Sequence, residues 1–171
     1  MTRAREIASQ GGLVLISSTT IGSAVSSVTV NNAFSATYDN YKILISMGVG
    51  SAGDASLSLQ LGSNTAGYYM AAAYVKYSNS VVTGAATNNG SNWFRACHIS
   101  TGGVVGNIDI MSPFLTKFTS FASDGIQFIT GGEYAKQGGW HNSATSFTDF
   151  TLTPNTGTIT GGTISVYGYK K

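Results

Sequence analysis

Charge is what this chain has least of: nine Lys and Arg and seven Asp and Glu among 171 residues, 9% in all, for a net of +2. That leaves no material for the clustered basic stripe that neutralises nucleic-acid phosphates, so no nucleic-acid partner is expected. Arg3, Arg5, Lys170 and Lys171 stand at the two ends, and the body between them is close to neutral. Cysteine occurs once, at Cys97. A lone cysteine excludes an intrachain disulfide framework and fits synthesis in a reducing cytoplasm. The two histidines, His98 and His141, lie in no spaced cluster of metal ligands, so no metal site is expected. No apolar run is long enough to span a bilayer, and the first residues lack a signal peptide's apolar core, so no membrane insertion is expected. The two prolines, Pro113 and Pro154, lie at the ends of strand-like runs, where a missing amide donor costs least.

What the chain does have is 42% hydrophobic and 11% aromatic residues with 22 glycines. Low charge with few apolar residues would indicate disorder, whereas low charge with many β-branched and aromatic residues indicates a β-rich fold. The length suits one domain with a sizeable core. Solubility then rests on Ser, Thr, Asn and Gly. Such a surface suits assembly into larger particles, because few charges need desolvating when faces meet.

The strongest pattern lies in residues 34–61. Tyr41, Ile43, Ile45 and Met47 alternate with Lys42, Leu44 and Ser46, and Leu57, Leu59 and Leu61 alternate with Ser56, Ser58 and Gln60. Two such runs, joined by a glycine-rich segment, predict neighbouring antiparallel strands with one buried face. The joining Gly48-Val49-Gly50-Ser51-Ala52-Gly53 also fits the dinucleotide-binding fingerprint. That chemistry needs a helix amino terminus facing the pyrophosphate, and Asp54-Ala55 leads into another strand, so a hairpin loop is the better reading.

Further strand-like runs are predicted at 13–18, 26–30, 68–77, 93–99, 107–111, 126–130, 133–140, 147–152 and 163–169, several separated by paired glycines. Short strands without helical spacers predict an all-β, single-domain antiparallel β-sandwich or jelly roll, with a barrel left open by periodicity alone. Residues 2–10 have helical character and stop at Gly11-Gly12; a helix so short needs something to pack on. The expected organisation is a docking segment over residues 1–12 and a β-sandwich over 13–171. Arg3, Arg5 and Ile7 are the expected docking contacts. Residues 78–91 form the longest stretch without a pattern and are expected to be an exposed functional loop.

Catalytic chemistry finds little support. Cys97 and His98 are adjacent, so on a strand they point to opposite faces and do not meet; the thiol reads as a buried structural cysteine. The carboxylates are scattered one per segment, without the spacing that would announce a glycosidase pair. Alternation places Asp109 on the face away from Ile108 and Ile110, as a solvated or partner-facing side chain. There is no nucleophile elbow and no phosphate loop, and Asn89-Gly90-Ser91 reads as a chance glycosylation match. The expectation is a non-enzyme without catalytic residues or cofactor. The aromatic residues Tyr68, Tyr69, Trp93, Trp140 and Tyr169 are the remaining lead, as core or as platforms for sugar rings. Trp140 stands out, preceded by Gly138-Gly139 and followed by His141-Asn142. Together with Asn88 and Asn89 of the long stretch, Trp140, His141 and Asn142 are the candidate receptor-binding residues.

Several segments resemble small virion structural proteins of tailed bacteriophages, in particular the terminal modules of tail fibres: TRAREIAS, GGLVLISSTTIGSAVSSVTV, FSATYDNYKILIS, LSLQLGSNTAGYY, NIDIMSPF and GTITGGTISVYGYKK. The resemblance implies an all-β virion module, made in the host cytoplasm, that works as a homo-oligomer, often a trimer, and attaches through its amino end to other virion proteins. Longer fibres continue there into a shaft or coiled coil. Here Met1 stands almost directly on the module, which shifts the expectation to a short tail fibre or a receptor-binding knob that contacts a host surface glycan. A capsid decoration or cement protein is the alternative, and a polysaccharide-degrading tailspike is a third reading.

Overall fold

The computed structural model describes residues 12–128 and 131–171, and Arg3, Arg5, Ile7 and the docking segment lie outside them. Within them the chain is all-β. In order, its strands are β1 (Leu13–Thr20), β2 (Val28–Val30), β3 (Asn40–Gly50), β4 (Ala55–Leu61), β5 (Tyr68–Lys76), β6 (Val82–Gly90) and β7 (Trp93–Ser100). β8 (Gly103–Met111), β9 (Thr119–Ile126), β10 (Glu133–His141), β11 (Phe150–Pro154), β12 (Ile159–Thr160) and β13 (Thr163–Tyr169) follow.

All pairings are antiparallel and fall into two layers of an unequal sandwich. One layer runs β1-β13-β3-β8-β9-β10-β5-β6, the other β2-β11-β4-β7. The short β12 adds to the end of β3. The layers are joined by the β7–β8 hairpin, where only Ile99↔Val104 and Ser100↔Gly103 are paired before β7 leaves. Beyond that corner β7 lies against β9, β10, β5 and β6. One continuous core fills the space between the layers. Tyr41, Ile43, Ile45, Ile108, Ile110, Ile164 and Val166 come from the larger layer, and Leu57, Leu59, Leu61, Trp93, Phe150 and Leu152 from the smaller. Each fully buried Leu or Ile contributes about 2 kcal/mol by leaving water.

The apolar faces of β3 and β4 are buried as the residues predict, but on β4 Ser56 and Ser58 of the other face are buried as well, and the pairing of the two strands differs from the expectation. β3 is flanked by β13, β12 and β8, while β4 sits between β11 and β7 in the other layer. The two strands bury their apolar faces in one core from opposite layers. The glycines between them serve close approach instead of a hairpin turn. A Cβ on Gly48 would lie 2.8 Å from Val104 Cγ1, and one on Gly50 2.9 Å from Ile99 Cγ1. A second departure is a bulge between Ile45 and Gly48. Met47 there takes a positive φ of 64° and is 90% exposed instead of continuing the buried face.

Two other expectations change. Ile126, the expected start of a strand, is instead the end of β9, which occupies Thr119–Ile126. Its Ser, Ala, Asp and Gly have low β-propensity, so tertiary pairing with β8 and β10 decides its state. The expected loop at 78–91 is mostly strand β6, held by pairing to β5.

Candidate binding face

The outer face of the larger layer is ordered in rows that cross the strands. Ala86, Ala71, Gly138 and Ala122 are in register on β6, β5, β10 and β9. Four small side chains in succession make the floor of a shallow trough about 14 Å long at the usual strand spacing. The row continues into Asp109 and Lys42 on β8 and β3.

On one side of the floor rises an aromatic wall. Tyr69 and Trp140 face each other across β5 and β10, stacked at 4.6 Å with 12° between their planes. Phe118, just before β9, covers the other side of the indole at 5.5 Å. Trp140 is 40% exposed, but both its faces carry a neighbouring ring, so it offers its rim and not an open stacking platform. Where Tyr69 and Trp140 meet the floor there is a depression of about 270 Å³ that Ala71, Thr87 and Gly138 also line. Gly139 lets the strands close: a Cβ there would lie 2.2 Å from Tyr69 O.

The opposite wall is polar. Lys136 Nζ lies 3.0 Å from Asp124 Oδ1, and the Tyr134 hydroxyl donates to the same oxygen at 3.1 Å. The Lys136 hydrogen bond, with help from Tyr134, holds the Asp124 carboxyl below its ordinary pKa. Asn107 stands beside Asp124 in register, and its buried Oδ1 has no partner among the described residues. At the β8 end, Lys42 Nζ donates to both oxygens of Asp109 at 3.1 and 3.2 Å, and the Tyr169 hydroxyl donates to Asp109 as well. Burial pulls the Lys42 pKa down, but the Asp109 hydrogen bond and charge outweigh it, and the net shift is upward. Asp109 therefore faces outward, as alternation predicts, inside an ion pair.

The candidate receptor residues separate on inspection. Trp140 is on the trough wall. Asn142 is exposed beside it, its Nδ2 donating to the Tyr69 hydroxyl at 3.5 Å. Asn89 Oδ1 accepts from the Gly67 amide at 3.0 Å, while the Asn142 amide donates to Gly67 O at 3.0 Å, so both asparagines meet at one glycine. Gly67 has φ +88°, and a Cβ on it would lie 2.3 Å from Asn142 Oδ1. Asn88 is exposed on β6.

His141 does not belong with them. It is 1% exposed, packs edge-on against Tyr68 and Phe147, and hydrogen-bonds Ala66 O at 3.0 Å and the Ser143 amide at 3.2 Å. Strand alternation turns it to the core as surely as it turns Trp140 outward. Phe118 and Asp124 are not singled out by the sequence because no alternating apolar run marks β9, whereas Tyr134 lies on the predicted run 133–140 and gains its place on the wall only from the register of β10 with β9. The period-two count along residues 118–126 would have placed Phe118, Ser120, Ala122 and Asp124 on one face.

Cys97 and His98 are both buried and on opposite sides of β7, and burial pushes the thiol up to about 12. Among the described residues no three potential metal ligands converge. Compared with protein families, curated proteins and solved structures, the chain matches none of them.

Proposed function

We propose that this chain is a non-enzymatic structural protein of a tailed-bacteriophage virion, a short tail fibre or receptor-binding knob whose trough takes a host surface glycan. The observation that carries the reading is the row Ala86, Ala71, Gly138 and Ala122 between an aromatic wall and a polar one. A floor of three alanine methyls and one glycine admits an extended chain flat against the sheet. The rims of Tyr69, Trp140 and Phe118 meet its apolar patches, and Asp124, Lys136 and Asn107 meet hydroxyls.

Self-association is part of the proposal. β1 and β6 end the larger layer on opposite sides, and neither carries a charge or a proline, the usual guards of a free edge. Leu13, Val14, Leu15 and Ile16 are all exposed on β1. Pairing β1 of one copy with β6 of the next is a head-to-tail contact, which gives a trimeric ring where the rotation between copies is threefold and an open filament where it does not close. The same uncharged edges favour the second reading, capsid decoration, in which such contacts bridge shell subunits.

The test is adsorption of assembled particles carrying Trp140→Ala with Ala122→Glu, which fills the floor. Adsorption should fall at least about tenfold, the equivalent of about 1.4 kcal/mol. Unchanged adsorption removes the trough, and label on the capsid in low-resolution images selects decoration. Release of oligosaccharides from host capsule or lipopolysaccharide overturns the non-enzymatic reading.

A further inference from the structure

Between the layers, the core is polar at one place. β7 carries Arg95 and His98 into the interface with β9 and β10. Arg95 Nη1 lies 3.0 Å from Glu133 Oε1, and His98 Nε2 lies 3.6 Å from the same oxygen. Ser123 Oγ and Gln137 Nε2 both donate to Ala96 O, at 2.6 and 3.3 Å. Asp54, just before β4, accepts from Gln127 Nε2 at 2.7 Å. Gly125 leaves the room that the imidazole fills, since a Cβ there would lie 2.7 Å from His98 Cδ2.

The imidazole is 1% exposed, and neither of its nitrogens has a hydrogen-bond partner. Such a ring is tolerable while neutral and costly once charged. The charged groups around it are Arg95 on its own strand, Glu133 on β10 and Asp54 ahead of β4, with Lys76 of β5 acting on Glu133. A second cation beside Arg95 would leave one buried carboxylate to serve both.

We propose that Arg95, His98 and Glu133 form an acid-released latch, in which protonation of His98 frees β7 from β9 and β10 and opens the sandwich along that seam. Burial, reinforced by Arg95, holds the His98 pKa down at about 4, so the folded seam resists the proton that an exposed histidine takes up near neutrality. Burial also raises the Glu133 pKa, so protonation of Glu133 by itself favours the closed seam. The drive to open comes from His98, whose charged ring gains water only when β7 leaves β9 and β10.

Cys97, buried on β7 beside His98, reports the opening through its thiol. The experiment measures its labelling by a disulfide reagent that reacts at acid pH, 4,4′-dithiodipyridine, normalised at each pH to the urea-unfolded chain. Amide exchange in β7 and in β13 is followed in parallel. Protection of Cys97 should fall at least about tenfold between about pH 6.5 and about pH 4, with β7 amides exchanging before those of β13. His98→Gln, which keeps polarity without the charge, should move the loss to lower pH. The proposal is overturned if protection is constant over that range, if β7 and β13 lose protection together, or if His98→Gln leaves the profile unmoved. Because the first two outcomes use the unmodified chain, a folding defect in the variant cannot spare the proposal.

Discussion

The two faces of β10 invert the usual division of labour. Inward it presents Glu133, Ala135, Gln137 and His141, mostly polar and all buried; outward it presents Tyr134, Lys136, Gly138 and Trp140, with two large aromatic rings half in water. Burial on this strand is set by position and partners, and not by polarity. The inner groups are tolerated because most of them find hydrogen bonds, and the outer rings because they cover one another. One strand thus carries a rigid, high-stakes interior and a tolerant exterior on adjacent residues.

The sharpest way to break that contrast is on the inside. Glu133→Ala leaves Arg95 without its carboxylate in a mostly buried seam and should cost about 3 kcal/mol, read as a lower urea midpoint with unchanged slope. If the loss were below about 1 kcal/mol, the pair would have to be counted as a surface bridge. Acid titration comes next. The folded pKa of His98 lies below its unfolded value, so its neutral form supports folding fully above about pH 6.5, and that support is lost as pH falls through about 4. Glu133 has the opposite sign, because its raised pKa favours the folded state as it protonates, but its shift is the smaller. The net is a fall of about 2 kcal/mol over that interval, absent in His98→Gln, as denaturation at stepped pH would reveal. On the outer face, Trp140→Ala should cost about 1 kcal/mol from lost ring contacts while leaving the fold intact by circular dichroism. Lys136→Ala should be the mildest, leaving the melting temperature essentially unchanged because its pair with Asp124 is exposed; a clear drop in melting temperature would mean that the polar wall is structural.

Much of the architecture is legible in residues 41–45 and 57–61, where alternation names the core side chains correctly. Their layer assignment is not, because period two reports which face is buried and is silent about which edge is paired. The glycines at 48 and 50 look like a turn in sequence and act as contact points in space. β6 and β9 are rich in Ala, Gly, Ser, Asn and Asp, whose strand state comes from pairing with neighbouring strands instead of from propensity. For the same reason the trough floor is invisible beforehand: it is a row of unremarkable small residues from four strands, aligned only by register. Trp140, by contrast, is marked by its own context, while His141, one residue on, is turned to the core by the same alternation.

β13, the last of the thirteen strands among the described residues, is an interior strand, with β1 on one side and β3 on the other. During synthesis, therefore, β1 waits until Thr163–Tyr169 has been made before its ladder partner leaves the ribosome. The apolar run of β1 spends that interval without its ladder, a window in which a growing chain is vulnerable to mispairing. Protease resistance should accordingly arrive late and abruptly, and chains arrested before residue 163 should remain cleavable between β1 and β3. Early resistance in such arrested chains would show that the rest of the sandwich closes without its final strand.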